Sequence, residues 1–276
     1  MPAGGRRAVV ALAASWLCLG TARAQDLDRK PPFVTTPLEV VDRMLRLAQT
    51  GPQDIVIDLG SGDGRIVIAA ARDFGAQALG VELDSALVEL ARERARATGV
   101  AARAAFEHGD ALHADVSRAT VVTTYLLPGL MERLRPKLLA ELPPGARIVS
   151  HAFVMSGWRP DRSETVRVLS PHPGQGETSN LHLWIVPAQA RGQWRSSGSS
   201  RAGGWRIRIE QNHQEITLEG SADGAPLEFD QATLTGREIA WRVRGARFRG
   251  RVEGERIVGE LASAERTLPL VLEREP

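Results

Sequence analysis

The most constraining feature of this chain is a strand, a glycine-rich turn and a helix in immediate succession. The apolar run Ile55–Leu59 is typical of a strand buried in a parallel sheet, and Ile66–Ala71 of a helix that packs back on it. Between them stand Gly60, Gly62 and Gly64, which carry no Cβ, so that a ligand can approach the backbone closely. The succession predicts a cofactor site in an α/β fold.

The spacing of the glycines indicates which cofactor is bound. The dinucleotide fingerprint G-x-G-x-x-G needs its third glycine at position 65, but Arg65 stands there, which argues against NAD and FAD. The pattern that begins at Asp58 resembles motif I of class I methyltransferases that use S-adenosyl-L-methionine (SAM). The resemblance implies that Asp58 hydrogen-bonds toward the SAM ammonium, directly or through water. It also implies that the amides of Gly60 and Gly62 face the ribose and methionine portion, and that Ser61 belongs to the same cofactor-binding loop.

Acidic residues follow the next two predicted strands. Ala78–Val81 ends in Glu82, at the spacing from which a carboxylate accepts hydrogen bonds from both ribose hydroxyls; the alternative is a solvated strand end. A third strand near Ala104–Phe106 leads to Asp110 and Ala111. The methyltransferase resemblance implies that Asp110 accepts from the adenine amino group and that Ala111 lies beside it.

Strands and helices continue to alternate beyond this point. We predict strands over Thr120–Thr124, Ala146–Ala152 and Leu181–Val186, with a helix over Gly129–Glu141. This alternation predicts a Rossmann-like, doubly wound α/β sheet, mostly parallel and covered by helices on both faces.

A closer resemblance extends over residues 31 to 188. It rests on Phe33–Pro37, Asp58–Val67, Gly80–Asp84 and Trp158–Pro160. These segments are similar to the small protein-lysine methyltransferases of the mitochondrial ADP/ATP carrier and the ATP synthase c-ring, and to their bacterial relatives. The resemblance implies N-methylation of a protein lysine. A small-molecule methyltransferase and a non-catalytic binding protein that retains the fold are the alternatives.

The segment Thr123–Pro128 follows the fourth strand, at the sheet edge where a methyl acceptor would enter. Methyl transfer from a sulfonium needs alignment and exclusion of water more than covalent chemistry. Tyr125, the only tyrosine, is our candidate catalytic residue as a polar wall beside the methyl group; a core aromatic is the alternative. The chain lacks the Asn or Asp-Pro-Pro-Tyr motif at this point, which argues against nucleobase substrates.

Other cofactor classes find little support. The six histidines form no H-E-x-x-H motif and have no partner cysteines, so we predict no metal site. His151 follows a buried strand and is either a pocket residue or a satisfied core histidine. There is no G-x-S-x-G nucleophile motif either.

Residues 1–24 have the three regions of a secretory signal peptide, with cleavage after Ala24. Cleavage would remove Arg6, Arg7, Arg23 and the single cysteine, Cys18, so that 35 basic against 33 acidic residues become 32 against 33. The basicity therefore does not indicate a nucleic-acid partner. We expect an exported, periplasmic protein with no membrane anchor after cleavage. A retained leader or a downstream start would instead leave it cytoplasmic.

The carboxyl-terminal part has a different pattern. We expect the methyltransferase domain to span 25–188, a linker rich in Ser, Gly, Arg and Gln to span 189–204, and an all-β antiparallel meander to span 205–276. From Gln193 onward the chain has thirteen arginines and thirteen acidic residues, so its charge is balanced. We therefore interpret the outward-facing positions of the meander strands as a solvated surface. Substrate docking and dimerisation are both open as its role, and the oligomeric state is open too.

Overall fold

The strands of this protein form two sheets, one of seven strands and one of nine, in the part that the computed structural model describes. That part comprises residues 34–169, 171, 176–196 and 204–276. The predicted signal peptide, residues 1–24, lies outside the described residues, as do Phe33 and His172.

The first sheet has the strand order β3-β2-β1-β4-β5-β7-β6. Strands β1 to β5 are parallel, and β7 and β6 join antiparallel at one edge. Its strands are β1 (Ile55–Leu59), β2 (Gln77–Glu82), β3 (Ala104–His108), β4 (Val121–Thr124), β5 (Arg147–His151), β6 (Arg162–Arg167) and β7 (Thr178–Ile185). Its helices are α1 (Leu38–Leu47), α2 (Arg65–Asp73), α3 (Ser85–Ala97) and α4 (Pro128–Glu141). The predicted doubly wound α/β sheet is thus confirmed.

Two apolar layers enclose this sheet. Helices α1, α2 and α3 contribute to one buried cluster, in which α2 presents an unbroken buried run from Ile66 to Ala71. Helix α4 contributes Met131, Leu134 and Leu138 to the other. Apolar burial on both faces explains why β1 and β4 have no alternating polar positions.

The second sheet is an antiparallel meander, as predicted, with the strand order β11-β10-β9-β8-β16-β15-β14-β13-β12. β10 also approaches β12, so the sheet curls into a nearly closed barrel. Its strands are β8 (Gly192–Ser196), β9 (Trp205–Asn212), β10 (Glu215–Ala222), β11 (Ala225–Leu227), β12 (Phe229–Thr235), β13 (Glu238–Val243), β14 (Ala246–Glu253), β15 (Arg256–Ala262) and β16 (Thr267–Arg274).

Aromatic residues fill the inside of the second sheet. Trp241 and Phe248 face each other across the β13–β14 pair, and their ring centroids lie 4.0 Å apart. Trp194 and Trp205 are buried in the same cluster. The strict alternation of buried and exposed residues along β9 follows from burial of only one face.

Two strands correct the sequence interpretation. Residues 189–204 were expected to be a linker, but Gly192–Ser196 form β8, which pairs with β9 and β16. Trp194 anchors this short strand because its side chain is fully buried. Strand β6 was not predicted, since an edge strand with the sequence Arg-Ser-Glu-Thr-Val-Arg has only a weak apolar alternation.

Direct hydrogen bonds connect the two sheets. The Ala188 amide, just after β7, donates to the Gly236 carbonyl in the β12–β13 turn at 2.7 Å. The Gln211 side chain on β9 donates to the Ala188 carbonyl at 2.9 Å. The second sheet is therefore fixed to the chain segment that leaves the first.

Within the described part of the chain, no helix is both long and apolar enough to cross a membrane.

Candidate active site

The glycine-rich turn lies where β1 ends, beside the carboxyl end of β2. Gly60, Gly62 and Gly64 all adopt the left-handed backbone region, with φ of 77°, 54° and 80°. A Cβ on Gly60 would lie 2.7 Å from Leu126 Cδ2, and one on Gly64 would lie 2.7 Å from the Phe106 ring. Both conformation and space therefore require glycine at these two positions.

The amides of this turn are used inside the protein. Gly60 and Ser61 donate to the Val81 carbonyl at 2.9 and 3.1 Å, and Gly62 donates to Glu82 Oε2 at 2.9 Å. The expectation that the amides of Gly60 and Gly62 face the cofactor is therefore corrected, because these hydrogen bonds shape the turn. The missing side chains of Gly60 and Gly64 let Leu126 and Phe106 pack directly against the turn.

Glu82 has a structural role that the sequence did not reveal. One carboxylate oxygen accepts from the Gly62 amide and the other from the Asp84 amide, both at 2.9 Å. Each carboxylate oxygen can accept more than one hydrogen bond, so both oxygens of Glu82 can still accept a hydrogen bond from a ribose hydroxyl. The side chain holds the glycine turn against the start of α3 at the place where the ribose was predicted.

Asp58 is a buried carboxyl group on β1, a strand that is paired on both sides. Its Oδ1 accepts from the Thr123 hydroxyl at 2.7 Å. Burial, against the opposing hydrogen bond from Thr123 and with a contribution from the nearby carboxylates of Glu82 and Asp63, raises the pKa of Asp58 to about 7. A cationic ligand group beside Asp58 would reverse the cost of ionising it.

Asp110 and Ala111 follow β3, the strand next to β2. Asp110 Oδ1 accepts from the Leu112 amide at 2.9 Å, and Oδ2 lies 3.3 Å from His113 Nδ1. Ala111 is buried, whereas the Asp110 side chain is partly exposed. The predicted cofactor residues at the ends of β1, β2 and β3 are thus brought to one edge of the sheet, in the order of the three adjacent strands.

Tyr125 lies just beyond β4, in contact with the end of β5. Its ring centroid is 4.0 Å from that of His151 and 6.2 Å from that of Phe153. His151 is buried between two hydroxyl groups, with Thr36 Oγ1 3.2 Å from Nδ1 and Ser179 Oγ 3.0 Å from Nε2. Burial lowers the pKa of His151 to about 4, so it is neutral at physiological pH. Of the two interpretations of His151, the satisfied histidine is the correct one, and it forms the floor under Tyr125.

Arg65, the residue that breaks the dinucleotide fingerprint, links the cofactor turn to the amino-terminal segment. Its guanidinium donates to Asp63 Oδ2 at 2.6 Å and to the Thr36 carbonyl at 2.9 Å. Asp63 is also paired with Arg94 of α3, and these guanidinium groups hold the pKa of its carboxyl below the usual range. Thr36 therefore contacts the cofactor turn through its carbonyl and the Tyr125 floor through its hydroxyl. Sequence reasoning noted Arg65 only as a missing glycine.

Three buried hydroxyl groups at this edge lack a hydrogen-bond partner among the described residues: Ser61 Oγ, Thr124 Oγ1 and Ser150 Oγ. Such groups are uncommon in protein interiors, where an unpaired polar atom costs about 1–3 kcal/mol. Ser61 belongs to the cofactor turn itself. Carboxylates that accept hydrogen bonds and hydroxyls that can donate them, gathered beside the glycine turn, fit a ligand with an ammonium, ribose hydroxyls and a carboxylate, such as SAM. In the residues described, no cluster of three His, Cys, Asp or Glu side chains is placed to hold a metal ion.

Comparison with known proteins identifies the family. The family described as ANTKMT methyltransferase domain matches residues 58–162, which contain the glycine turn, Glu82, Asp110 and Tyr125. A protein-lysine N-methyltransferase of Saccharolobus islandicus is 46% identical over 138 residues, which are 50% of this chain and 84% of that protein. The adenine nucleotide translocase lysine N-methyltransferase of Mus musculus is 38% identical over 138 residues, 50% of this chain but only 60% of that protein.

A solved structure agrees with this fold and cofactor. An RNA methyltransferase from Salinibacter ruber, in complex with S-adenosyl-L-homocysteine, is 47% identical and has a TM-score of 0.51. The match covers 56% of this chain and 95% of the other. The family match ends at residue 162, before β8, so the second sheet lies outside it. The chain therefore belongs to the ANTKMT methyltransferase family, and it is a methyltransferase that uses SAM.

Proposed function

We propose that this enzyme transfers the methyl group to the side-chain amine of lysine in a protein. The observation that carries the proposal is that residues 58–162, which match the family, include both the cofactor turn and the Tyr125 segment. The archaeal relative named a protein-lysine N-methyltransferase is matched over 84% of its own length. The chain spans only 60% of the length of the Mus musculus relative, so that protein supports the proposal less directly.

We assign the cofactor contacts as the sequence predicted. Asp58 faces the ammonium, Glu82 the ribose hydroxyls and Asp110 the adenine, with Ala111 packed beside it. The turn formed by Gly60, Ser61 and Gly62 lies beside the methionine portion. The linear order of these residues along β1, β2 and β3 supports the assignment, because the cofactor is an extended molecule of the same order.

The acceptor wall favours an uncharged amine. When bound, SAM supplies an electrophilic methyl group to a nucleophile that approaches in line with it. Tyr125 and Phe153, with the buried neutral His151 beneath Tyr125, form a wall without formal charge on the acceptor side. A lysine ammonium beside such a wall loses hydration, which lowers its pKa and favours the neutral, nucleophilic form. Tyr125 would orient this amine as the candidate catalytic residue.

RNA is the second candidate acceptor, because the Salinibacter ruber relative is described as an RNA methyltransferase. The charges on the second sheet do not favour it. Exposed arginines there pair with carboxylates, as in Arg208–Glu210 at 2.7 Å and Arg251–Glu238 at 3.1 Å. RNA binding is driven largely by the release of counterions when unpaired basic side chains contact phosphates. A surface with balanced charge offers few such contacts.

The acceptor can be identified by incubating the full chain with methyl-labelled SAM and a cell extract. We expect label that resists nuclease, disappears on protease treatment and is recovered as methyl-lysine after acid hydrolysis. Glu82→Ala serves as the cofactor-binding control and should give much less label than the wild type. Label that is sensitive to nuclease would favour RNA, and label confined to small metabolites would reject both macromolecular acceptors.

A further inference from the structure

The segment in front of α1 connects the cofactor turn to the acceptor wall. Thr36 is buried, and its carbonyl accepts from Arg65 Nη1 at 2.9 Å. Its hydroxyl lies 3.2 Å from His151 Nδ1. Arg65 directly follows the glycine turn and also donates to Asp63 inside that turn at 2.6 Å. Thr36 thus contacts the cofactor side through its backbone and the acceptor side through its side chain.

Thr36 is held in place by the helix that begins two residues after it. The Pro37 carbonyl accepts from two amides in the first turn of α1, at 3.0 and 2.9 Å. Val40 in the same turn is fully buried in the first apolar cluster. Arg43 pairs with Glu164 of β6, with 2.6 Å between Nη2 and Oε2. Because α1 is fixed to the sheet by packing and by this ion pair, the segment in front of it has a defined position.

His151 transmits the position of Thr36 to Tyr125. A neutral imidazole has one donor and one acceptor nitrogen, and the hydroxyls of Thr36 and Ser179 pair with both. The ring cannot rotate without leaving a buried nitrogen unpaired, which is costly. Tyr125 packs on this ring, with 4.0 Å between the centroids. A displacement of His151 would therefore displace the Tyr125 ring.

A tight turn joins His151 to the other aromatic neighbour of Tyr125. Ala152 has a φ of 68°, and across it the Phe153 amide donates to the His151 carbonyl at 2.9 Å. A γ-turn with a positive central φ is rare and strained, so the surrounding structure must hold it. The Ala152 amide does so by donating to the Asn180 carbonyl of β7 at 2.7 Å. His151 and Phe153 therefore contact Tyr125 as one unit.

We propose that Thr36 is a positioning residue that couples the cofactor turn to Tyr125. The proposal rests on the proposed function, in which Tyr125 orients the acceptor amine. Arg65 fixes the Thr36 carbonyl to the turn, and the Thr36 hydroxyl fixes His151 beneath Tyr125. A turn that is held by the cofactor then holds Tyr125 in place. Acceptor binding at Tyr125 favours the same arrangement of the turn, because coupling between two sites is reciprocal.

Tyr125 is itself the probe for this coupling, because it is the only tyrosine of the chain. Labelling tyrosine with a magnetic carbon isotope in the full chain therefore gives the ring signals of one residue in an NMR spectrum. The position and width of these signals report how the ring is packed, and they are measured without cofactor or acceptor. Thermal unfolding checks that each variant is folded.

Variants of Thr36 test the acceptor side of the link. Thr36→Val keeps the shape of the side chain and removes the hydroxyl, whereas Thr36→Ser keeps the hydroxyl. The matched control is Thr50→Val, just beyond the other end of α1, because it removes a buried hydroxyl that has no partner among the described residues. We expect the Tyr125 signals to move or broaden in Thr36→Val and to keep their wild-type position in the other two.

Variants of two arginines test the cofactor side. Arg65→Ala removes the guanidinium that contacts both Asp63 and Thr36. The matched control, Arg94→Ala, removes the other partner of Asp63 and leaves the contact between Arg65 and Thr36 in place. We expect the Tyr125 signals to change in Arg65→Ala and not in Arg94→Ala. Unchanged signals in Thr36→Val or in Arg65→Ala would overturn the coupling.

Methyl transfer from labelled SAM to a cell extract completes the test. Thr36→Val should transfer label about tenfold more slowly at saturating SAM, with SAM affinity within about twofold of the wild type, because a misplaced acceptor wall affects the transfer step. Thr36→Ser should recover most of the rate. Wild-type transfer by Thr36→Val protein whose Tyr125 signals have moved would overturn the positioning role. Absence of protein label from the wild type would instead overturn the proposed function, whereas the Tyr125 signals need no acceptor and decide the coupling by themselves.

Discussion

The carboxyl edge of the first sheet and the interior of the second sheet differ in how many polar groups they bury. The first keeps Asp58 and the hydroxyls of Thr124 and Ser150 inside the protein, although burial of such groups costs stability. The second buries aromatic and aliphatic side chains and leaves Trp241 Nε1 as its unpartnered polar atom within the described residues. The difference indicates that the first sheet gives up stability to hold a cofactor, whereas the second is built around an ordinary apolar core.

The largest effect that we expect concerns the stability of the second sheet. Phe248→Ala removes a fully buried ring that stacks on Trp241 and should lower the free energy of unfolding by about 3–5 kcal/mol. Chemical denaturation measures this change. SAM affinity, measured by calorimetry well below the unfolding transition, should stay at the wild-type value. A parallel loss of SAM affinity in folded protein would contradict the separation of the two regions.

The next effect concerns the cofactor edge. Glu82→Ala removes the acceptor for two backbone amides and the predicted ribose contact, and should weaken SAM binding by about 100-fold, equivalent to about 2.7 kcal/mol. Glu93→Ala, at an exposed position of α3, is the matched control. Calorimetry with SAM measures both variants, and circular dichroism checks that they are folded. Equal affinity in the two would contradict the placement of the ribose.

A pH titration sharpens the contrast through Asp58. Because the folded pKa is raised to about 7, the folded protein holds a proton that the unfolded chain releases near pH 3.8, so the contribution of Asp58 to stability falls as pH rises between these values. A cation beside Asp58 favours its ionised form, so SAM binding should release a proton below pH 7. Affinity should then rise by up to about tenfold per pH unit toward pH 7 and level off above it.

Asp58→Asn provides the control for this titration. It keeps the size of the side chain and removes the ionisable group, so the rise in affinity with pH should disappear. Calorimetry below pH 7 in buffers of different ionisation enthalpy measures the released proton directly. If the wild type binds SAM without proton release, then Asp58 does not face the ammonium.

The smallest effect should come from the outer face of the second sheet. Arg249 is exposed, and Glu260 lies opposite it in the β14–β15 pair. Arg249→Ala should change the free energy of unfolding by less than about 0.5 kcal/mol and leave methyl transfer within about twofold of the wild type. Label transfer with cell extract tests this. A large drop in transfer would give this face a role in acceptor binding and would weaken the contrast drawn above.

Local patterns predicted much of the fold. The run from Ile55 to Leu59 and the alternation around Trp241 were interpreted correctly because each strand repeats one simple burial pattern. Strand β8 was missed because a single buried residue, Trp194, defines it, and one residue does not make a periodicity. The bounds of other elements moved by one or a few residues, since a strand ends where its partner stops pairing.

Part of the candidate site was also predicted from local patterns. Glu82 and Asp110 follow strands whose ends could be located from the sequence, so their place at one sheet edge followed from parallel topology. The link from Arg65 to Thr36 crosses 29 residues, and the pairing of His151 with Thr36 crosses 115. Contacts this distant leave no local signal in a single sequence.

The sequence by itself determined the parallel strands of the first sheet and its glycine turn and, through the resemblance to motif I, the choice of SAM over a dinucleotide, because these depend on spacing within short segments. Only the tertiary structure decided that the amides of the glycine turn donate to groups of the protein itself. It also decided that the neutral His151 packs against the ring of Tyr125, and that the β9–β10 hairpin and Trp158 line one cavity. Each of these depends on which distant groups meet once the chain is packed. Burial and partner choice are properties of the assembled fold, and they set the chemistry of the site.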